Sequence, residues 1–230
     1  MFALRFKKIT PKYIIAVHFA ATCWEKQPSP KFRNAEIIEF PAVLMNLETG
    51  AIEAEFHEYV KPTEKPQLSE FCIKITDIMQ TTVDNAITLD SVLIKFEKWL
   101  VNELKTRQLV LPKFSPLNVE GNCAFVTWSD WDFDVCLHKE CIRKNIKKPE
   151  YFNQWIKIRH LFRGSTRYMP DNFTDALRHL GLTFIGNEHS GIDYAKNMAA
   201  LTHKLKNRGV ALQITEDLTP NKCNDNSIFE

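Results

Sequence analysis

The stretch VHFAATC, residues 17–23, closes the first apolar run of the chain. The run begins at Tyr13 and passes through two isoleucines, an alanine and a valine before it reaches His18. A run of this length, rich in β-branched residues, predicts a buried strand from Tyr13 to Ala20. Active side chains of α/β proteins commonly lie at the ends of such strands. The tip of this strand is therefore the first place to look for chemistry.

The elements that follow predict a mixed α/β sheet with helices on its faces. Two β-rich runs in residues 35–62 are joined around Glu48–Gly50, which predicts a hairpin. Ser69 and Thr76 are predicted N-caps of two short helices. Helices are predicted over residues 89–104 and 191–207, and strands at CAFVTW (residues 123–128) and around WIKIRHLF (155–162). We expect an N-terminal extension (1–12), one folded domain (13–212) and a flexible C-terminal tail (213–230).

Composition narrows the class of protein. Hydrophobic residues make up 44% of the 230 residues, which is enough for a sizeable core. The net charge of +2 does not by itself indicate a nucleic-acid-binding protein. Six cysteines without a C-x-x-C pair argue against a disulfide framework or a zinc site and favour a reducing compartment. We therefore expect an intracellular protein, cytoplasmic or nuclear, and the lack of an apolar run of about 18 residues predicts no membrane span.

Three motifs occur in an order known from one family: HFAATCWE (18–25), FVTWSDWDFDVCL (125–137) and HSGIDYAKNMA (189–199). With EIIEFPAVLMN (36–46) and LSEFCIKIT (68–76) between them, the chain resembles the DEDDh 3′→5′ exoribonucleases. It is similar to the branch that trims histone mRNA tails, small RNAs and ribosomal RNA ends. The resemblance covers about residues 13–212. It implies an RNase H-like exonuclease fold with a mixed central sheet of about five strands flanked by helices.

Active members of that family hold two Mg²⁺ or Mn²⁺ ions with four carboxylates, and a histidine activates the attacking water. By resemblance, His18 stands where the first acid is expected, Ala20 the second and Tyr194 the fourth. Asp132 matches the third acid, and His189 matches the histidine. From the three missing carboxylates we predict a pseudoenzyme without a metal cofactor, with at most weak binding of a single ion at Asp132.

The resemblance also suggests a ligand. By resemblance, we expect Thr22 and Trp131 to border the pocket for the terminal nucleotide. A buried core position is an equal alternative for Trp131. We expect an adaptor or RNA-binding factor in RNA metabolism or silencing, with a protein partner in a ribonucleoprotein or RNA-processing complex and RNA 3′ ends as ligands. Two alternatives stay open. One is a weak metal-dependent exoribonuclease that uses a rearranged site around Asp132 and His189, and the other is a transition-metal site that also includes His18.

Overall fold

The computed structural model describes residues 11–25, 34–112 and 121–218. Most of the predicted N-terminal extension, residues 26–33, residues 113–120 and residues 219–230 of the predicted tail lie outside the described residues. None of the helices in the described ranges has the length and apolar character that crossing a membrane requires.

A mixed sheet of seven strands forms the centre of the fold. The strands are β1 (Tyr13–Val17), β2 (Ala20–Ala21), β3 (Ile37–Asn46), β4 (Ile52–Tyr59), β5 (Cys123–Thr127), β6 (Gln154–Lys157) and β7 (Glu216–Asp217). They lie in the order β2-β3-β1-β5-β6-β7, with β4 paired to β3. The pairs β1–β5 and β5–β6 are parallel, and the other pairs are antiparallel. The prediction of a mixed α/β fold is confirmed.

Helices cover both faces of this sheet. They are α1 (Glu70–Thr76), α2 (Gln80–Asp84), α3 (Leu89–Thr106), α4 (Lys139–Arg143), α5 (Ile158–Thr166), α6 (Phe173–His179) and α7 (Gly191–Asn207). A π-helical segment, Trp131–His138, leads into α4, and a short 3₁₀ segment, Glu150–Asn153, precedes β6.

The side chains of β1 show how the core is divided. Ile15 and Val17 pack into a cluster with α3 and the π-helical segment, whereas Ile14 and Ala16 pack with α5, α6 and α7. Successive side chains of a strand point to opposite faces, so a wholly apolar run must be covered on both sides. The apolar sequence of the first strand thus follows from its place at the centre of the fold.

Three details differ from the sequence predictions. The first strand ends at Val17, because the next backbone amides leave the ladder, and pairing resumes only at Ala20. The strand predicted around WIKIRHLF ends at Lys157, where α5 begins. The split first strand and the additional β7 raise the predicted five strands to seven, and β7 lies within the predicted tail.

Of the two predicted helix N-caps, Ser69 is confirmed and Thr76 is wrong. Ser69 caps α1, with its hydroxyl accepting a hydrogen bond from the Cys72 amide. Thr76 is instead the last residue of α1, and its hydroxyl donates to the carbonyl of Cys72. The next helix, α2, has Met79 at its N-cap position.

Candidate functional site

The first motif departs from strand geometry at the point where the predicted site begins. The amide of Phe19 donates a 2.8 Å hydrogen bond to Oδ1 of Asp132 instead of pairing with a neighbouring strand. This bond joins residues that are 113 positions apart and fixes the chain between β1 and β2 against the π-helical segment. It therefore explains both the broken strand and the position of Asp132.

Asp132 is almost completely buried, with 1% of its surface exposed. Burial raises the pKa of Asp132 to about 7, although the hydrogen bond from Phe19 acts in the opposite direction. Near neutral pH the carboxyl group is consequently divided between its protonated and ionised forms.

His18 lies between Asp132 and the ring of Tyr194. Its Nδ1 is 3.5 Å from Oδ1 of Asp132, but this buried nitrogen has no hydrogen-bond partner among the described residues. Desolvation lowers the pKa of His18 to about 4, so the imidazole is neutral at physiological pH. A neutral histidine and a partly protonated aspartic acid do not form an ion pair.

Tyr194 occupies the first turns of α7 and is held between two rings. It stacks on His18, with a centroid distance of 4.2 Å and an interplanar angle of 22°, and on Phe173 at 4.5 Å and 29°. Burial raises the pKa of Tyr194, so its phenol stays protonated. Tyr194 thus places an aromatic ring, packed between two others, where the resemblance led us to look for a carboxylate.

His189 is exposed on the loop before α7, and its tautomer is set by one contact. Its Nδ1 lies 2.6 Å from the backbone carbonyl of Ile75 at the end of α1. A carbonyl oxygen only accepts hydrogen bonds, so in the neutral ring Nδ1 carries the proton and Nε2 carries the lone pair. A second contact joins the same loop to α1, from Nδ2 of Asn187 to Oδ2 of Asp77 at 3.1 Å.

An open cavity of about 300 Å³ lies where the three motifs meet. Of the sequence-predicted residues, its wall contains His18, Ala20, Trp131, His189 and Tyr194. Asp132 and Thr22 are not part of the wall. Thr22 is buried instead, and its hydroxyl accepts a hydrogen bond from the amide of Glu36.

Glu39 is a buried carboxylate that the sequence analysis missed. It pairs across the sheet with Ala20, and its Oε2 accepts a 3.0 Å hydrogen bond from the amide of Gly191, the first residue of α7. A Cβ atom at position 191 would lie 2.7 Å from this Oε2, so only glycine permits the approach. Its other oxygen lies 2.8 Å from Nε2 of His57. Glu39 thereby anchors the helix that carries Tyr194.

The acids near Asp132 have other partners. Asp130 pairs with Lys157 at 3.0 Å, and Asp193 accepts a hydrogen bond from the amide of Asn187. Within residues 11–25, 34–112 and 121–218, no group of three or more His, Cys, Asp or Glu side chains is placed to hold a metal ion. The described side chains therefore do not assemble the four-carboxylate set of a two-metal nuclease, nor the transition-metal site considered above.

Comparison with known proteins identifies the family. The model of the RNase_T exonuclease family matches residues 25–202. A protein of Drosophila melanogaster named 3'-5' exonuclease Snipper is 58% identical over 208 residues, which cover 90% of this chain and 74% of that protein. The chain belongs to this exonuclease family. ERI1 exoribonuclease 2 of Mus musculus is 43% identical over 90% of this chain, but the chain spans only 30% of that protein.

Solved structures agree with the assignment to the DEDDh-type 3′-5′ exonucleases of this family. One, of a 3'-exonuclease in 3'-end specific recognition of a histone mRNA stem-loop, has a TM-score of 0.78 and 32% identity, covering 91% of this chain and 88% of that one. Another, of the nuclease domain of 3'hExo, a DEDDh family member bound to rAMP, has the same TM-score and identity and covers 92% and 100%. The RNase H-like exonuclease fold is confirmed.

Two sequence predictions are wrong. Relatives this similar are named exonucleases, which points to an enzyme and overturns the prediction of a pseudoenzyme. The prediction of no cofactor is wrong with it, because active DEDDh-type nucleases use Mg²⁺ or Mn²⁺. Both predictions rested on the three missing carboxylates. Mg²⁺ is commonly held by one or two carboxylates together with substrate phosphates, so that count does not decide the question.

Proposed function

We propose that this chain is a 3′→5′ exonuclease that acts on the 3′ end of RNA and takes the terminal nucleotide into the cavity beside His18 and Tyr194. One observation carries the proposal: residues from all three family motifs meet around a single open cavity of about 300 Å³. That volume lies at the lower end of the range for small-molecule sites, as suits one nucleotide. The relative bound to rAMP and the relatives named as exonucleases support the same reading.

Aromatic surfaces give the cavity its affinity for a base. Trp131 lines the cavity beside the stacked rings of His18 and Tyr194. Stacking of a base on an aromatic side chain contributes about 1–3 kcal/mol and tolerates any base. Such a site binds the end of a strand with little dependence on sequence.

Proton transfer falls to His189 in this proposal. Its Nε2 lone pair can accept a proton from an attacking water, while the carbonyl of Ile75 holds Nδ1–H and stabilises the imidazolium that forms. Divalent metal ions supply charge neutralisation at phosphate in this family. Since the described residues do not assemble the family's four-carboxylate set, we assign no step to the metal here.

The test is RNA shortening. A 5′-labelled stem-loop RNA with a single-stranded 3′ end is incubated with the protein in Mg²⁺, in Mn²⁺ and in EDTA, and products are resolved on a denaturing gel. We expect stepwise loss of 3′ nucleotides that depends on the metal and is blocked by a 3′-phosphate. His189→Gln is expected to reduce the rate about 100-fold or more.

His160→Gln is the matched control, because His160 is exposed on α5 and does not line the cavity. Equal activity of the His189→Gln and wild-type proteins would contradict the role of His189 in the proposal. RNA that binds without being shortened in either metal would also contradict it.

The predicted protein partner remains a prediction that no contact in the described residues tests. We also propose an intracellular location, which the free cysteines among the described residues support.

A further inference from the structure

The loop that carries His189 is held from two sides. On one side, the carbonyl of Ile75 in α1 lies 2.6 Å from Nδ1 of the histidine. On the other side, Oε2 of Glu39 in β3 accepts a 3.0 Å hydrogen bond from the amide of Gly191, two residues after the histidine. Glu39 therefore links this loop to the central sheet.

Glu39 also lies beside the opposite wall of the cavity. It pairs with Ala20 of β2, and paired residues of neighbouring strands point to the same face of a sheet. A Cβ atom at position 191 would lie 3.1 Å from the carbonyl oxygen of His18 as well as 2.7 Å from Oε2 of Glu39. His18 and Ala20 line the cavity. The carboxylate thus lies between the wall formed by the first motif and the loop of the third motif.

The surroundings of Glu39 hold its carboxylate in one position. The side chain is buried, and its Oε1 lies 2.8 Å from Nε2 of His57. Gly191 begins α7, a helix of 17 residues, and the first amides of a helix lack an intrahelical acceptor and carry partial positive charge. A carboxylate bonded to such an amide is stabilised by the hydrogen bond and by the helix dipole.

We propose that Glu39 is a positioning residue that sets the separation between His189 and the cavity wall formed by His18 and Ala20. This inference rests on the proposed function, in which His189 accepts a proton from the attacking water. Glu39 does not line the cavity, so it acts through Gly191 and the loop. Proton transfer requires a heavy-atom distance of about 2.6–3.2 Å, and a displacement of about 1 Å can cost about 100-fold in rate.

The experiment disrupts the contact from each end. Glu39→Ala removes the acceptor, whereas Gly191→Ala places a Cβ atom against it. We measure kcat and KM for the stem-loop RNA with Mn²⁺. Each variant should lower kcat by about 10- to 100-fold with KM within about twofold of the wild type, because the histidine moves while the stacking surfaces remain.

A double variant tests whether the two residues act through one contact. Once the carboxylate is gone, a Cβ atom at position 191 no longer meets Oε2. The kcat of Glu39→Ala combined with Gly191→Ala should therefore equal that of Glu39→Ala within about twofold. Losses that multiply would show that the residues act independently and would overturn the proposal.

Two conservative variants are the controls. Glu39→Gln keeps an oxygen that accepts from Gly191 and should restore kcat to within about threefold of the wild type. His57→Ala leaves the bond to Gly191 in place and should have an equally small effect. Urea denaturation of each variant records its stability. If Glu39→Ala fails to fold, Gly191→Ala and Glu39→Gln still test the contact. A loss of stability with full kcat would mean that the contact is purely structural.

NMR of the protein without RNA separates this proposal from the proposed function. The imidazole resonances of His189 should shift in Glu39→Ala and in Gly191→Ala, and remain in place in His57→Ala. Those shifts in a wild-type protein that does not shorten RNA would support the positioning of His189 and contradict the nuclease activity. Unchanged resonances in the folded Glu39→Ala and Gly191→Ala proteins would overturn the positioning role.

Discussion

Glu36 and Asp132 are both buried carboxylates, yet their surroundings differ. Glu36 accepts hydrogen bonds from three consecutive amides, those of residues 63–65, and pairs with Lys144 at 2.7 Å. Burial raises the pKa of Glu36, but these donors outweigh it and the net pKa is lowered. Asp132 accepts a single hydrogen bond from another segment, the one from the Phe19 amide, and its burial raises its pKa. A carboxylate with a full set of donors stabilises a fold, whereas one with few donors keeps its reactivity at a cost in stability.

The largest effect should come from removing the carboxylate with the full set of donors. Glu36→Ala is expected to lower the free energy of unfolding by about 3 kcal/mol, because three amides lose their acceptor and Lys144 keeps only Glu140 of its two carboxylate partners. Urea denaturation at pH 7 measures this loss. Glu64→Ala is the control, since Glu64 is partly exposed in its pair with Arg143 and should change little. Similar losses in the two variants would break the comparison.

The second effect concerns Asp132 and depends on pH. Its folded pKa of about 7 lies above the unfolded value of about 3.9. The folded state therefore holds the proton more tightly, and the stability gained from it is complete below pH 4 and lost as the pH rises through 7. Asp132→Asn should become more stable relative to the wild type by about 2–3 kcal/mol between pH 5 and pH 8.

Denaturation curves of both proteins across that pH range provide the measurement. His18, whose pKa is lowered to about 4, has the opposite dependence, with stability lost as the pH falls from 6.5 towards 4. That contribution is common to both proteins and cancels in the difference. A difference that stays flat with pH would show that Asp132 is not desolvated.

The smallest effect on stability is expected for the solvent-exposed ion pair of Glu58. Glu58 pairs with Lys95 at 3.0 Å, a distance close to that of the buried pair, but both side chains are substantially exposed. Lys95→Ala should change the free energy of unfolding by less than about 0.5 kcal/mol. Thermal denaturation at low and high salt checks this, and a loss above 1 kcal/mol would mean that burial is not what separates the three acids.

The sequence was sufficient for the fold because the main signals are local. Alternating and continuous apolar runs predicted the hairpin, the central strands and α7. Five residues named from the motifs line the cavity, whereas Thr22 and Asp132 lie outside its wall. The sequence could not reveal that Phe19 donates its amide to Asp132, since that bond connects distant parts of the chain and breaks a strand whose apolar pattern is continuous.

The surroundings of the buried carboxylates could not be predicted from the sequence for the same reason. Nothing in EIIEFPAVLMN distinguishes Glu36, with its donors from another loop, from Glu39, which reaches the first amide of α7. An acidic residue inside an apolar run was the available signal, and it marks both. The predictions about catalysis and metal failed because residue identities at a few positions do not determine how a substrate completes a site.

The hydrogen bond from the Phe19 amide to Asp132 also allows the protonation of Asp132 to be followed by NMR. An amide that donates to a carboxylate feels the change in charge when that carboxylate loses its proton. The nitrogen and proton resonances of Phe19 should therefore move with pH around neutrality, at a point in the backbone that has no ionisable group of its own. The protonation state of a nearly inaccessible acid can thus be followed in solution from a single peak.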